Sequence, residues 1–227
     1  MNGTPIGYAL ARVHARHASR PLPAEWRRLD GARTASQYLN FARRTGLRDW
    51  LRNITEEHEQ ATVELKLHDA FRRHVVVVSG WLPTSARPAA LWIERLIDLP
   101  ALTYLHAGGR ALHWMADEPA LAPVIDESVP TPEMMTPVDS WLKRWLTTWP
   151  GPRHDPIAAR LGRALLGLVT TQQTAPATER LHWYFRTHAI GPAGVYAYLG
   201  LVLDDLRRLA GGLARRRPGQ SRFEEAA

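Results

Sequence analysis

Residues 55–78 read TEEHEQATVELKLHDAFRRHVVVV. Val63, Leu67, Ala70, Phe71 and His74 recur at three- and four-residue spacing, the period of one helix face. The run Val75, Val76, Val77, Val78 has strand propensity. The helical period leads straight into it, however, and no neighbouring segment supplies a partner strand. The stretch is therefore expected to be one long helix opening at Thr55. Glu56, Glu57 and Glu59 lie near the positive end of its dipole, and the valines form its buried end.

The flanking sequence carries the same signature. Upstream, helices are expected at 8–19, where Leu10, Val13 and His17 form one stripe and Arg12, Arg16 and Arg20 another. Pro21 and Pro23 end that helix. Shorter helices follow at 25–29 and 32–44, the latter anchored by Tyr38, Leu39 and Phe41 and broken by Gly46. Downstream, 83–88 reads as a loop and 89–107 as a helix bent at Pro100. Further helices are expected at 138–148, 156–172, 177–189 and 192–217. The fold class is all-α, built as bundled helical lobes.

The chain organises into an N-terminal helical lobe (1–110), a proline-rich linker (111–137), a C-terminal helical lobe (138–217) and a polar, frayed tail (218–227). Pro119, Pro123, Pro130, Pro132 and Pro137 define the linker. One internal echo suggests two similar helical repeats. Ile97-Asp98-Leu99-Pro100-Ala101-Leu102 leads into Gly108-Gly109, and Leu203-Asp204-Asp205-Leu206 leads into Gly211-Gly212. Two unrelated glycine-capped helices would give the same pattern.

Of the 227 residues, 45% are hydrophobic, enough to bury a substantial core. The longest apolar runs are far short of the roughly 20 residues that cross a bilayer. Met1 to Leu10 does not resemble a secretory signal, and the absence of cysteine fits a cytoplasmic protein. Lys and Arg number 29 against 22 Asp and Glu, a formal charge of +7. Residues 1–110 hold 16 basic and 10 acidic side chains. Only Lys66 and Lys143 are lysines, so the basic surface consists of guanidinium groups suited to carboxylates and phosphates.

Catalytic and metal motifs are missing. His14 and His17, three apart on a helix, do not make a zinc-type His-Glu-x-x-His run, and the other histidines are scattered. There is no nucleophile elbow or phosphate-binding glycine loop. Glu56-Glu57 and Asp204-Asp205 are adjacent pairs that diverge by about 100° on a helix, which suits them poorly to shared acid–base work. A non-enzymatic protein without metal or cofactor is expected. Trp141, Trp145 and Trp149 fall on one helix stripe, read first as core and second as an interface anchor. The arginines Arg12, Arg16, Arg207, Arg208, Arg215 and Arg216 are the candidate partner-binding residues. Part of the C-terminal cluster also suits the negative end of its own helix.

Tyr8-Ala9-Leu10-Ala11-Arg12-Val13-His14-Ala15-Arg16 resembles the opening helix of the V-type ATPase socket subunit, the central-stalk socket found in bacterial, archaeal and eukaryotic enzymes. Residues 61–74 and 92–109 extend the likeness, with Ile97-Asp98-Leu99-Pro100-Ala101-Leu102 in place of the family's Asp-x-x-Asn-Leu-like helix end. The resemblance implies a non-catalytic helical funnel in proton transport, seated on a membrane rotor ring and receiving a rotor shaft. Peripheral membrane association would follow. Family members carry three similar lobes, and this length leaves room for about two. The alternative is a basic helical adaptor for nucleic acid or another protein assembly.

Overall fold

The computed structural model describes residues 6–115, 121, 135–152, 154–171 and 173–217. Most of the expected linker and the whole of the expected tail lie outside them. The described residues form ten α-helices and no strand, so the chain is all-α. These are α1 (Ile6–Ala18), α2 (Pro23–Asp30), α3 (Ala35–Ala42), α4 (Gln60–Gly80), α5 (Arg87–Trp92), α6 (Leu99–His106), α7 (Pro137–Thr148), α8 (Pro156–Thr170), α9 (Ala175–Thr187) and α10 (Pro192–Ala214).

The valine run is helical. Val63, Leu67, Phe71, Val75 and Val78 form one buried stripe along α4. Val76 and Val77 are 54% and 46% exposed, so only half of the run is buried. A period of 3.6 puts positions 75 and 78 on one face and turns the two between them outward. The helix also starts later than Thr55. The Thr55 amide donates to Nδ1 of His58 at 2.9 Å. This local side-chain turn competes with the first helical turn, and α4 opens only at Gln60.

Residues 83–107 depart further from the expected loop and bent helix. A 3-10 turn at Thr84–Ala86 leads into α5, a second 3-10 stretch covers Ile93–Ile97, and α6 follows. The break thus precedes Pro100. That proline sits in the first turn of α6, where its missing N–H leaves no helical hydrogen bond unmade.

The chain divides into two compact units, the first comprising 1–11 and 74–201 and the second 12–73 and 202–227. Residues 1–110, read from the sequence as one lobe, are shared between them. In the first unit, α8 packs against α7 and α9, and α7 also meets α5 and α6. The tryptophan stripe lies at the centre of this packing. Trp141 and Trp145 are buried and stacked, with ring centroids 5.6 Å apart and planes 8° from parallel. Tyr196 meets Trp145 edge-on at 5.4 Å, and its hydroxyl donates to the Ala86 carbonyl at 2.8 Å. The Trp145 indole donates to the Ala158 carbonyl at 2.8 Å. The side-chain donors of this Trp145–Tyr196 pair are thereby satisfied as they leave water. Asp155 starts α8 by accepting from the Ile157 amide at 2.9 Å, and its other oxygen accepts from the Trp149 indole at 2.9 Å.

In the second unit, α2 packs against α3. Pro23 opens α2, and the Leu22 amide donates to the Glu25 carboxylate at 2.7 Å. Thr34 caps α3 by accepting from the Gln37 amide. Tyr38 of α3 lies against Gly212, where any Cβ would collide with its ring and hydroxyl. Gly211 and Gly212 are therefore inside α10 and do not end it, whereas Gly108 takes a left-handed φ of 85° after α6. The expected echo does not extend to its glycines.

Candidate functional site: an arginine-rich surface

The whole charge excess falls in the second unit. Its residues include 19 Lys and Arg against 12 Asp and Glu, while the first unit holds 10 of each. A formal charge of +7 is thus carried by 88 residues. A field of this size attracts anionic partners over the distance of a Debye length.

The six arginines singled out from the sequence have unequal roles. Arg12 and Arg16 are exposed on α1, on either side of the buried Val13. Arg215 is also exposed. Arg208 and Arg216 are committed to the fold. Arg208 donates to the Asp30 carboxylate at 2.6 Å, and its guanidinium lies 4.4 Å from the centroid of the Trp26 ring. Arg216 donates to the carbonyls of Ala32 (2.7 Å), Leu29 (3.1 Å), Asp30 (2.6 Å) and Gly212 (2.7 Å). It therefore caps the C-terminal carbonyls of α2 as well as one of its own helix. Its guanidinium also lies 4.5 Å from the centroid of the Tyr38 ring. Arg207 is half-buried, and burial lowers its pKa against the opposing effect of Asp204.

One arginine outside that set anchors the unit. Arg20 grips Asp205 with two hydrogen bonds, Nε to Oδ2 at 2.6 Å and Nη2 to Oδ1 at 3.0 Å. Burial raises the Asp205 carboxyl to about 6, with Arg20 acting against the shift. Burial likewise pushes the Tyr38 phenol up to about 12, opposed by Arg216. Arg20 lies on the same stripe as Arg12 and Arg16 in the sequence, but Pro21 ends the helix beside it. No local signal announces a partner 185 residues away.

The exposed arginines of this unit also include Arg27, Arg28, Arg33, Arg44, Arg48, Arg52 and Arg73, none of which the sequence motifs single out. Arg28 stands 4.8 Å from the Phe41 ring centroid, and Arg52 pairs with Asp49 at 2.8 Å. No group of three or more His, Asp or Glu side chains among the described residues is arranged to hold a metal ion. His14 is exposed and His17 half-buried. No described helix is long and apolar enough to cross a membrane. The arrangement supplies planar cationic groups on a helical frame, which suits bidentate contact with carboxylates or phosphates. Compared with protein families, curated proteins and solved structures, the chain matches none.

Proposed function

We propose that this protein is a non-catalytic binding protein whose arginine-rich unit docks on an acidic protein surface, in the manner of the V-type ATPase socket it resembles. The observation that carries the reading is the confinement of the entire +7 to the unit that holds Arg12 and Arg16. On this reading Arg12, Arg16 and Arg215 meet carboxylates of the partner, while Arg208 and Arg216 hold the surface in shape. The protein sits at the cytoplasmic face of a membrane rotor ring and receives the rotor shaft. Torque passes through packed helices, and no cofactor is needed.

The test is the double replacement Arg12→Glu and Arg16→Glu. Docking to a purified V-type rotor ring in nanodiscs is lost, while far-ultraviolet circular dichroism keeps the wild-type helical signal, because both side chains are exposed on α1. Undiminished docking by the double variant contradicts the proposed contact. The same arginine field suits a phosphate backbone. Tight, steeply salt-dependent binding of nucleic acid, without ring binding, makes the chain a nucleic-acid adaptor instead.

A further inference from the structure

A second surface lies in the electrically balanced first unit, at the end of α9 and the turn that follows. Trp183 is 50% exposed and Ile190 is 87% exposed. The Trp183 ring meets the Tyr184 ring edge-on at 4.9 Å and the His188 ring at 5.6 Å. His188 in turn lies 5.4 Å from Tyr184 and accepts, through its carbonyl, from the Gly191 amide at 3.2 Å. These contacts tie the turn that carries Ile190 to the end of α9 that carries Trp183. Arg180 and Arg186 are exposed one turn to either side of Trp183. Arg160 of α8 is exposed and, like Arg180, acts electrostatically on the hydroxyl of the buried Tyr184. Glu179 is the exposed acid of α9.

We propose that this tip is an interfacial anchor for an anionic lipid bilayer, with Ile190 and Trp183 entering the headgroup boundary and Arg180 and Arg186 contacting acidic headgroups. Tryptophan favours that boundary because its ring is apolar and its N–H is polar. Basic side chains near an anionic leaflet add attraction that falls off within a Debye length. An interface hot spot is a packed pocket with a rim. Ile190 instead projects between the small residues Ala189 and Gly191, with no such pocket around it. A projecting aliphatic side chain requires only an apolar medium. The inference does not depend on the socket reading, because its residues belong to the other unit.

The experiment is sedimentation of the full chain with phosphatidylcholine vesicles, with and without about 30% phosphatidylserine. The wild-type chain binds the mixed vesicles, and pure phosphatidylcholine retains little of it. Ile190→Glu and the pair Arg180→Glu/Arg186→Glu each weaken binding by about tenfold or more, with circular dichroism unchanged since the side chains are exposed. Arg12→Glu/Arg16→Glu retains binding that Ile190→Glu loses. Full affinity in Ile190→Glu, or binding abolished by Arg12→Glu/Arg16→Glu alone, overturns the anchor in favour of adsorption through the basic unit. No vesicle binding at all also overturns it, including the case where the same face captures a soluble acidic protein.

Discussion

The Trp92 indole donates to the Trp141 carbonyl at 3.0 Å, and the Trp141 indole returns a bond to the Trp92 carbonyl at 3.3 Å. This exchange joins the end of α5 to α7, and with it the 3-10 stretch at Ile93–Ile97 to the stacked tryptophans. Indole nitrogen carries a donor and no acceptor, so each ring has a single hydrogen bond to satisfy and finds it in the other residue's backbone. Trp92→Phe keeps most of the ring and removes one donor. We expect a loss of about 1–2 kcal/mol in urea unfolding, against about 3–5 kcal/mol for Trp145→Ala, which empties a fully buried site.

Gly162 gives a second measure of the same packing. A Cβ there would stand 2.7 Å from Trp145 Cδ1 and 2.9 Å from Leu142 Cδ1. The half-buried Leu142 side chain can give way, but the Trp145 ring is fully buried and stacked on Trp141. Gly162→Ala should therefore destabilise by about 1–3 kcal/mol despite alanine's better helix propensity. A neutral or stabilising result in denaturant titration contradicts the close approach of α7 and α8.

Helix existence and the all-α class were legible because they rest on period. The α4 stripe from Val63 to Val78 repeats every three to four residues whatever surrounds it. The start at Gln60 was not legible, since it depends on a His58 ring accepting the Thr55 amide. The division into units was also hidden, because each unit assembles segments far apart in the chain. The arginine site was legible as charge and not as role. Arg216 looks like a solvated end of α10, and only its carbonyl partners on Leu29, Asp30 and Ala32 show it to be structural.

That distinction predicts a contrast between neighbours. Arg216→Ala removes the guanidinium donors from the Asp30 and Ala32 carbonyls, leaves the Leu29 carbonyl to the Ala32 amide, and should cost about 2–3 kcal/mol. Arg215→Ala, at an exposed position, should stay within about 0.5 kcal/mol of wild type. Parallel thermal and urea unfolding of the two variants checks this, and equal effects contradict the capping role.

Asp205 makes stability depend on pH. Its folded-state pKa of about 6 lies above the ordinary 3.8, so between these values the folded chain holds a proton that the unfolded chain releases. Its contribution is therefore greatest below about pH 4, declines as pH rises through about 6, and is level above that. Arg20 opposes the shift, so Arg20→Met should raise the pKa further and extend the decline to higher pH. The variant should lose about 3–5 kcal/mol at about pH 8, where the buried carboxylate is left without its counter-ion, and less at about pH 5. Denaturant titrations of both proteins at these two pH values test the sign. A larger penalty at the lower pH contradicts it.

We propose above that the basic unit meets an acidic protein surface at a rotor ring. The most direct measurement of that contact is the affinity of the wild-type chain for a purified V-type rotor ring in nanodiscs, set beside its affinity for duplex DNA at physiological salt. Ring binding should be saturable and weaken as salt rises, and DNA binding should be no tighter than a weak, non-specific interaction of about 10⁻⁴–10⁻⁶ M. Submicromolar DNA binding with no measurable affinity for the ring would contradict the proposal.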